Sequence, residues 1–191
     1  MFPRRYGDAG QAFPIYITVV AGLLFLALAY LAVGQAAVNR SGAQTAADAA
    51  ALAAAQDARD QLAAAWLDDL LDPTKWGDIF AGTADIDDPC WRAGELAAQN
   101  DAQLDGCDGL ALKYTADVTT NKTVGHSLVP GTDDLKASAS ASAVIKPLCT
   151  FDPPGTGHAL PALDCDGTIW HPKPDGDLPG PEDLFDVHLA D

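Results

Sequence analysis

Apolar and polar positions divide the chain into stretches of different period. From Ala12 to Gly34 there is no charge and almost no polar side chain: AFPIYITVVAGLLFLALAYLAVG. About 20 apolar residues at 1.5 Å rise cross a hydrocarbon core, so the stretch predicts a transmembrane helix. Tyr16 and Tyr30 stand near its ends, where interfacial aromatics are expected. From Gln35 to Leu71 the pattern turns helical and alanine-rich, with Leu62, Trp66 and Leu70 in one i, i+4, i+8 stripe. No proline falls between Pro14 and Pro73, and Asp72-Pro73 supplies a stop. The spacing predicts one long helix or two helices bent near Asn39–Gly42.

Beyond Pro73 the period changes again. Residues 73–108 are punctuated by Gly and Pro, with a short helix expected over Arg92–Leu104. Trp76, Phe80 and Trp91 are the expected local core. Residues 110–146 read as β. Leu110, Leu112 and Tyr114 alternate with Ala111, Lys113 and Thr115, and Val124–Val129 is a candidate strand. Leu135–Lys146 alternates throughout. One face carries Leu135, Ala137, Ala139, Ala141, Ala143 and Ile145, and the other Lys136, Ser138, Ser140, Ser142, Val144 and Lys146. An alanine face lets another backbone come close, and the alanine-rich helix is its natural partner. The expected fold class is α+β: a long N-terminal helix on a small antiparallel sheet, with disulfide-stapled loops. The proline-rich end is expected to be irregular, disordered beyond Lys173, with Leu184, Phe185, Val187 and His188 as a candidate docking segment.

Charge and cysteine then set the compartment. The net charge is −16; residues 1–40 carry Arg4, Arg5 and Arg40 against Asp8, leaving −18 for the rest. An acidic surface repels phosphate backbones, so nucleic acid is not an expected partner. Basic residues stay on the cytoplasmic side, which places the leader 1–11 inside, the span at 12–34, and the helix 35–72, the head 73–172 and the acidic tail 173–191 outside. Cys90, Cys107, Cys149 and Cys165 all follow the span. An even count outside the cytoplasm reads as disulfides, and the short loops favour Cys90–Cys107 and Cys149–Cys165. A zinc site with His158 and His171 is disfavoured, because the spacing fits no common pattern. A cleaved signal peptide is the rival reading of the apolar stretch, with small residues at Gly34, Ala36 and Ala37.

Catalytic patterns are missing. His126-Ser127 lacks a nucleophile elbow, and there is no phosphate loop and no HExxH. Asp85, Asp87, Asp88, Asp101, Asp105 and Asp108 have no EF-hand spacing. The expectation is a non-enzyme with no cofactor.

The segment GQAFPIYITVVAGLLFLALAYLAVGQAAVNRSGAQTAADAAALAAAQ, above all TAADAAALAAAQ at Thr45–Gln56 after a single span, resembles the N-terminal region of TadE/TadG-like proteins of the tight-adherence (Flp) pilus system. The resemblance covers about residues 8–60 and implies a pseudopilin-like or accessory component of pilus assembly or surface attachment. Partners would be the membrane and other pilus-assembly proteins, met through the helix and the head, with a homo-oligomer as one arrangement. Gly10 sits where a prepilin peptidase would cut, but the glutamate expected five residues later is Ile15. That departure favours an uncleaved, TadG-like accessory protein. Thr18, Gly22 and Ala29 form a small-residue face suited to helix contacts in the membrane. The alternatives are a membrane-tethered binding module unrelated to pili and, last, a secreted hydrolase.

Overall fold

The computed structural model describes residues 12–123, 134–152 and 160–190. Its spine is α1 (Ala12–Asp68), one helix of 57 residues, about 85 Å long at helical rise. It runs unbroken through Asn39–Gly42, so the two-helix alternative does not hold. The helix ends at Asp68 in a turn, just before the expected stop at Asp72-Pro73. There the indole N–H of Trp76, the first residue of the short helix α2 (Trp76–Phe80), donates to the Asp69 carbonyl, 3.1 Å away, satisfying a group the helix end leaves free.

From Ala43 onward α1 is the core of the head. Ala43, Ala46, Ala47, Ala50, Ala51, Ala54, Ala55 and Ala58 are all completely buried. The buried arc is wide because different elements pack on different sides. The sheet covers one flank, and α3 (Cys90–Gln99) covers another with Ala93 and Ala97. Alanine suits this position. Methyl-sized side chains let a sheet and a helix both approach one backbone.

The larger sheet is antiparallel, in the order β1-β2-β3-β7. Its strands are β1 (Ala102–Leu110), β2 (Lys113–Thr123), β3 (Lys136–Pro147) and β7 (Phe185–Leu189). The alanine face of β3 lies on α1, as its alternation implied; Ala143 and Ile145 are buried. The serine face is more open, and Ser142 and Ser138 hydrogen-bond to Thr115 and Thr119 across the strands, each at 2.8 Å. A register shift between Thr119 and Thr123 is filled by Thr120, whose buried hydroxyl accepts from the Ala137 N–H.

Several expectations change here. The helix expected over Arg92–Leu104 starts earlier and stops at Gln99, because Asp101 turns the chain with a left-handed φ of 55° into β1. The alternation over Leu110–Tyr114 is interrupted by a hairpin turn at Ala111-Leu112. Trp91, expected in the core, is 56% exposed and stacks under the Arg92 guanidinium, 5.7 Å from the ring. The proposed strand Val124–Val129 lies outside the described residues.

The end of the chain departs most. Instead of disorder beyond Lys173 it forms α4 (Pro181–Leu184) and then β7, which pairs with β3. Leu184 and Phe185 are fully buried. Phe185 lies 5.3 Å from Phe80, in a chain of rings continuing through Phe151 and Trp76 to Trp66. The candidate docking segment therefore docks on its own head. A second small sheet, β4 (Cys149–Phe151), β5 (Leu163–Cys165) and β6 (Thr168–Trp170), carries Phe151 into that cluster. Its β5–β6 hairpin turns on Asp166-Gly167, both with positive φ, a sequence suited to this tight turn.

Candidate functional site: the exposed helix and the stapled head

The apolar half of α1 is unburied. Phe13, Ile15, Leu23, Leu24, Phe25, Leu31 and Val33 are exposed, and no residue of the most apolar 18-residue window is buried. No other helix among the described residues is long and apolar enough to cross a membrane. A water-soluble domain does not expose an apolar band on all sides of a helix. The band needs lipid or other helices around it.

The three residues expected to mediate helix contacts share one face, within about 40° at 100° per residue. A Cβ added at Gly22 would meet nothing within 4 Å. The Thr18 hydroxyl donates to the Pro14 carbonyl at 2.8 Å. That hydroxyl is already satisfied within its own helix, so it does not require a partner helix.

Two disulfides close the head. Cys90 bonds Cys107, joining α3 to β1, and Cys149 bonds Cys165, joining β4 to β5. No free cysteine remains among the described residues. Each bond holds an element that buries little apolar area of its own: α3 contributes mainly Ala93 and Ala97, and β4 and β5 have three residues each.

The acidic residues have structural tasks. Asp88 accepts the Cys90 N–H at 2.9 Å at the start of α3. Asp101 pairs with Lys122 at 2.7 Å, and Asp105 accepts from the Thr119 hydroxyl at 2.6 Å. At the end of α1, the Asp72 carboxylate accepts from the Thr74 hydroxyl, which holds its pKa below the usual range. Lys75, bonded to Asp69, is held above its ordinary value. Asp68, Asp85 and Asp87 line an open groove with Gln61, whose amide bridges to the backbone of Asp87. Among the described residues no three His, Cys, Asp or Glu side chains are placed to hold a metal. His171 is exposed, and His188 pairs with Asp186 at 2.9 Å on the outer face of β7. His126, Ser127, His158 and Gly10 lie outside the described residues.

The geometry joins an exposed apolar helix without a break to a disulfide-stapled head. The signal that the chain end completes the sheet lies in Leu184-Phe185 and the alternation Phe185, Val187, Leu189, and the neighbouring prolines overshadow it. No curated protein and no solved structure matches the chain. Residues 10–57, which hold the exposed band and nearly all of the buried alanine stretch, match the family model described as Flp pilus-assembly TadE/G-like, and this part of the chain is similar to that family.

Proposed function

We propose that this chain is a single-span, membrane-anchored component of pilus assembly or surface attachment, with its N-terminus in the cytoplasm and its disulfide-stapled head outside. It acts as an uncleaved accessory protein of the TadG-like kind rather than as a processed filament subunit. The observation that carries this reading is the single helix α1: exposed and apolar over residues 13–33, then buried as the axis of the head from Ala43 without a break, with residues 10–57 matching the TadE/G-like model. The basic leader supports the orientation, as do four cysteines that are all paired and all beyond the span. Ile15 supports the accessory role, because it stands where a processed pilin carries glutamate.

The helix anchors the chain and meets other membrane proteins through Thr18, Gly22 and Ala29, and the head meets partners outside. The experiment is analysis of the mature N-terminus in native cells, together with protease protection of the head in spheroplasts and inverted vesicles. A start at Met1 and a head accessible only from outside are expected. A start at Gln11 would move the protein into the filament. A start after Gly34 would remove the anchor and sink the reading.

A further inference from the structure

Resting on the membrane-anchored reading, we infer that the junction of helix and head holds one phospholipid of the outer leaflet. A groove of about 520 Å³ lies where α1 meets the lower end of β2. Tyr30, Leu31, Gly34 and Val38 form its apolar wall, and Asn39 and Lys122 stand at its polar rim.

The groove is continuous with the membrane-spanning surface. Tyr30, Leu31 and Gly34 belong to the apolar stretch itself. Val38 and Asn39 follow Gly34 by about 6–8 Å of helix, which is the depth of a headgroup layer. An acyl chain fits the wall there, because the wall is lined by apolar atoms and a Cβ at Gly34 would meet nothing within 4 Å. The rim has a matching donor. The Asn39 Nδ2 is buried and has no hydrogen-bond partner among the described residues. A buried amide without an acceptor is costly, and a phosphate diester oxygen would supply one. Lys122 adds the positive charge. Its only ion pair among the described residues is with Asp101, and both side chains are largely exposed, so that pair yields readily to a phosphate. A phospholipid meets both demands at once, with an acyl chain for the wall and a phosphate for the rim.

The test uses the full chain purified in a mild, phospholipid-free detergent and titrated with diacyl phosphatidylethanolamine or diacyl phosphatidylglycerol, read by native mass spectrometry. One lipid retained per chain is expected with either headgroup. Gly34→Leu fills the wall and Asn39→Leu removes the donor; each is expected to weaken retention about tenfold, equivalent to about 1.4 kcal/mol. Gly34 is exposed and Asn39 half-buried, so the folding of the head in each variant is checked by its unchanged unfolding midpoint. A lipid distribution identical in wild type and both variants overturns the inference. So does disulfide crosslinking of Val38→Cys between two copies in membranes, which would show a second chain in the groove. Carbonate extraction separates this from the anchoring reading: a chain released from membranes refutes the anchor, and a chain that stays but retains no lipid refutes only the groove.

Discussion

Two halves of α1 use the same backbone against two different surroundings. Over residues 13–33 the helix carries Phe, Ile, Leu and Val, with Leu23, Leu24 and Phe25 each at least 60% exposed. Over residues 43–58 it carries mainly alanine, eight of them completely buried. Most of the large side chains are left uncovered by the rest of the chain, and the small ones are packed against it. The difference follows from what each half packs against. Lipid is fluid and conforms to any side chain, so the exposed half is selected for apolar area. A sheet and a helix are shaped solids, so the buried half is selected for fit. Alanine burial supplies little hydrophobic free energy per residue, and the head makes up the deficit elsewhere, through an aromatic cluster at the far end of α1 and two disulfides.

Reduction should separate the halves most sharply. Each disulfide closes a loop whose ends lie 16 or 17 residues apart, worth about 3 kcal/mol in the chain-entropy model. Losing both approaches the whole stability of a small domain, on the order of 5–15 kcal/mol. In detergent micelles with a phosphine reductant, the near-ultraviolet signal of the buried tryptophans should collapse. The helical signal of the apolar half should persist. Retention of the tryptophan signal would mean that the alanine spine holds the head unaided.

Removing the ring of Phe185, fully buried and stacked on Phe80, should cost about 3–5 kcal/mol as Phe185→Ala. Denaturant unfolding of the head reports the loss. Ala54→Leu comes next. Ala54 is completely buried between packed elements, and overpacking there should cost about 1–3 kcal/mol. The reciprocal change Leu24→Ala, in the exposed half, should leave the head's midpoint within about 0.5 kcal/mol. Equal effects of the two substitutions would erase the distinction between shaped and fluid surroundings.

The same distinction explains what could be read from the residues in advance. Features with a strong period were legible: the apolar band, the alanine helix, the Leu62–Trp66–Leu70 stripe and the two-faced strand β3, because burial on one side imposes period on sequence. The Cys90–Cys107 and Cys149–Cys165 loops were legible because near partners close most readily. Trp91 is not legible in this way, because an isolated aromatic has no period and the adjacent Arg92 covers it in solvent. The chain end is not legible either, because its composition hides a five-residue strand whose pairing partner, β3, lies some forty residues earlier and whose anchoring contact is the aromatic cluster. The lipid-facing surface offered only Thr18, Gly22 and Ala29, since a helix face that meets lipid is under no demand for pattern. The groove at Tyr30–Lys122 was invisible, because its two sides come from segments far apart in sequence.

The smallest effect concerns a buried ionisable side chain on the sheet's inner face. Tyr114 is 6% exposed, and its ring lies so close over Gly109 that a Cβ there would fall 2.6 Å from a ring carbon. Burial pushes its phenol above the ordinary tyrosine value, and the nearby carboxylates of Asp88 and Asp57 push the same way. In the unfolded chain the phenol ionises near pH 10, while in the folded head it keeps its proton to higher pH. Between those two values the folded state binds more protons than the unfolded one, so stability is complete below pH 10 and falls as the pH rises beyond it. Tyr114→Phe removes the ionisation and keeps the ring. The denaturation midpoint of wild type should therefore drop more than that of the variant between about pH 9 and about pH 11. Parallel curves would mean that the phenol reaches water in the folded head and that the sheet is less tightly seated on α1 than the buried alanines imply.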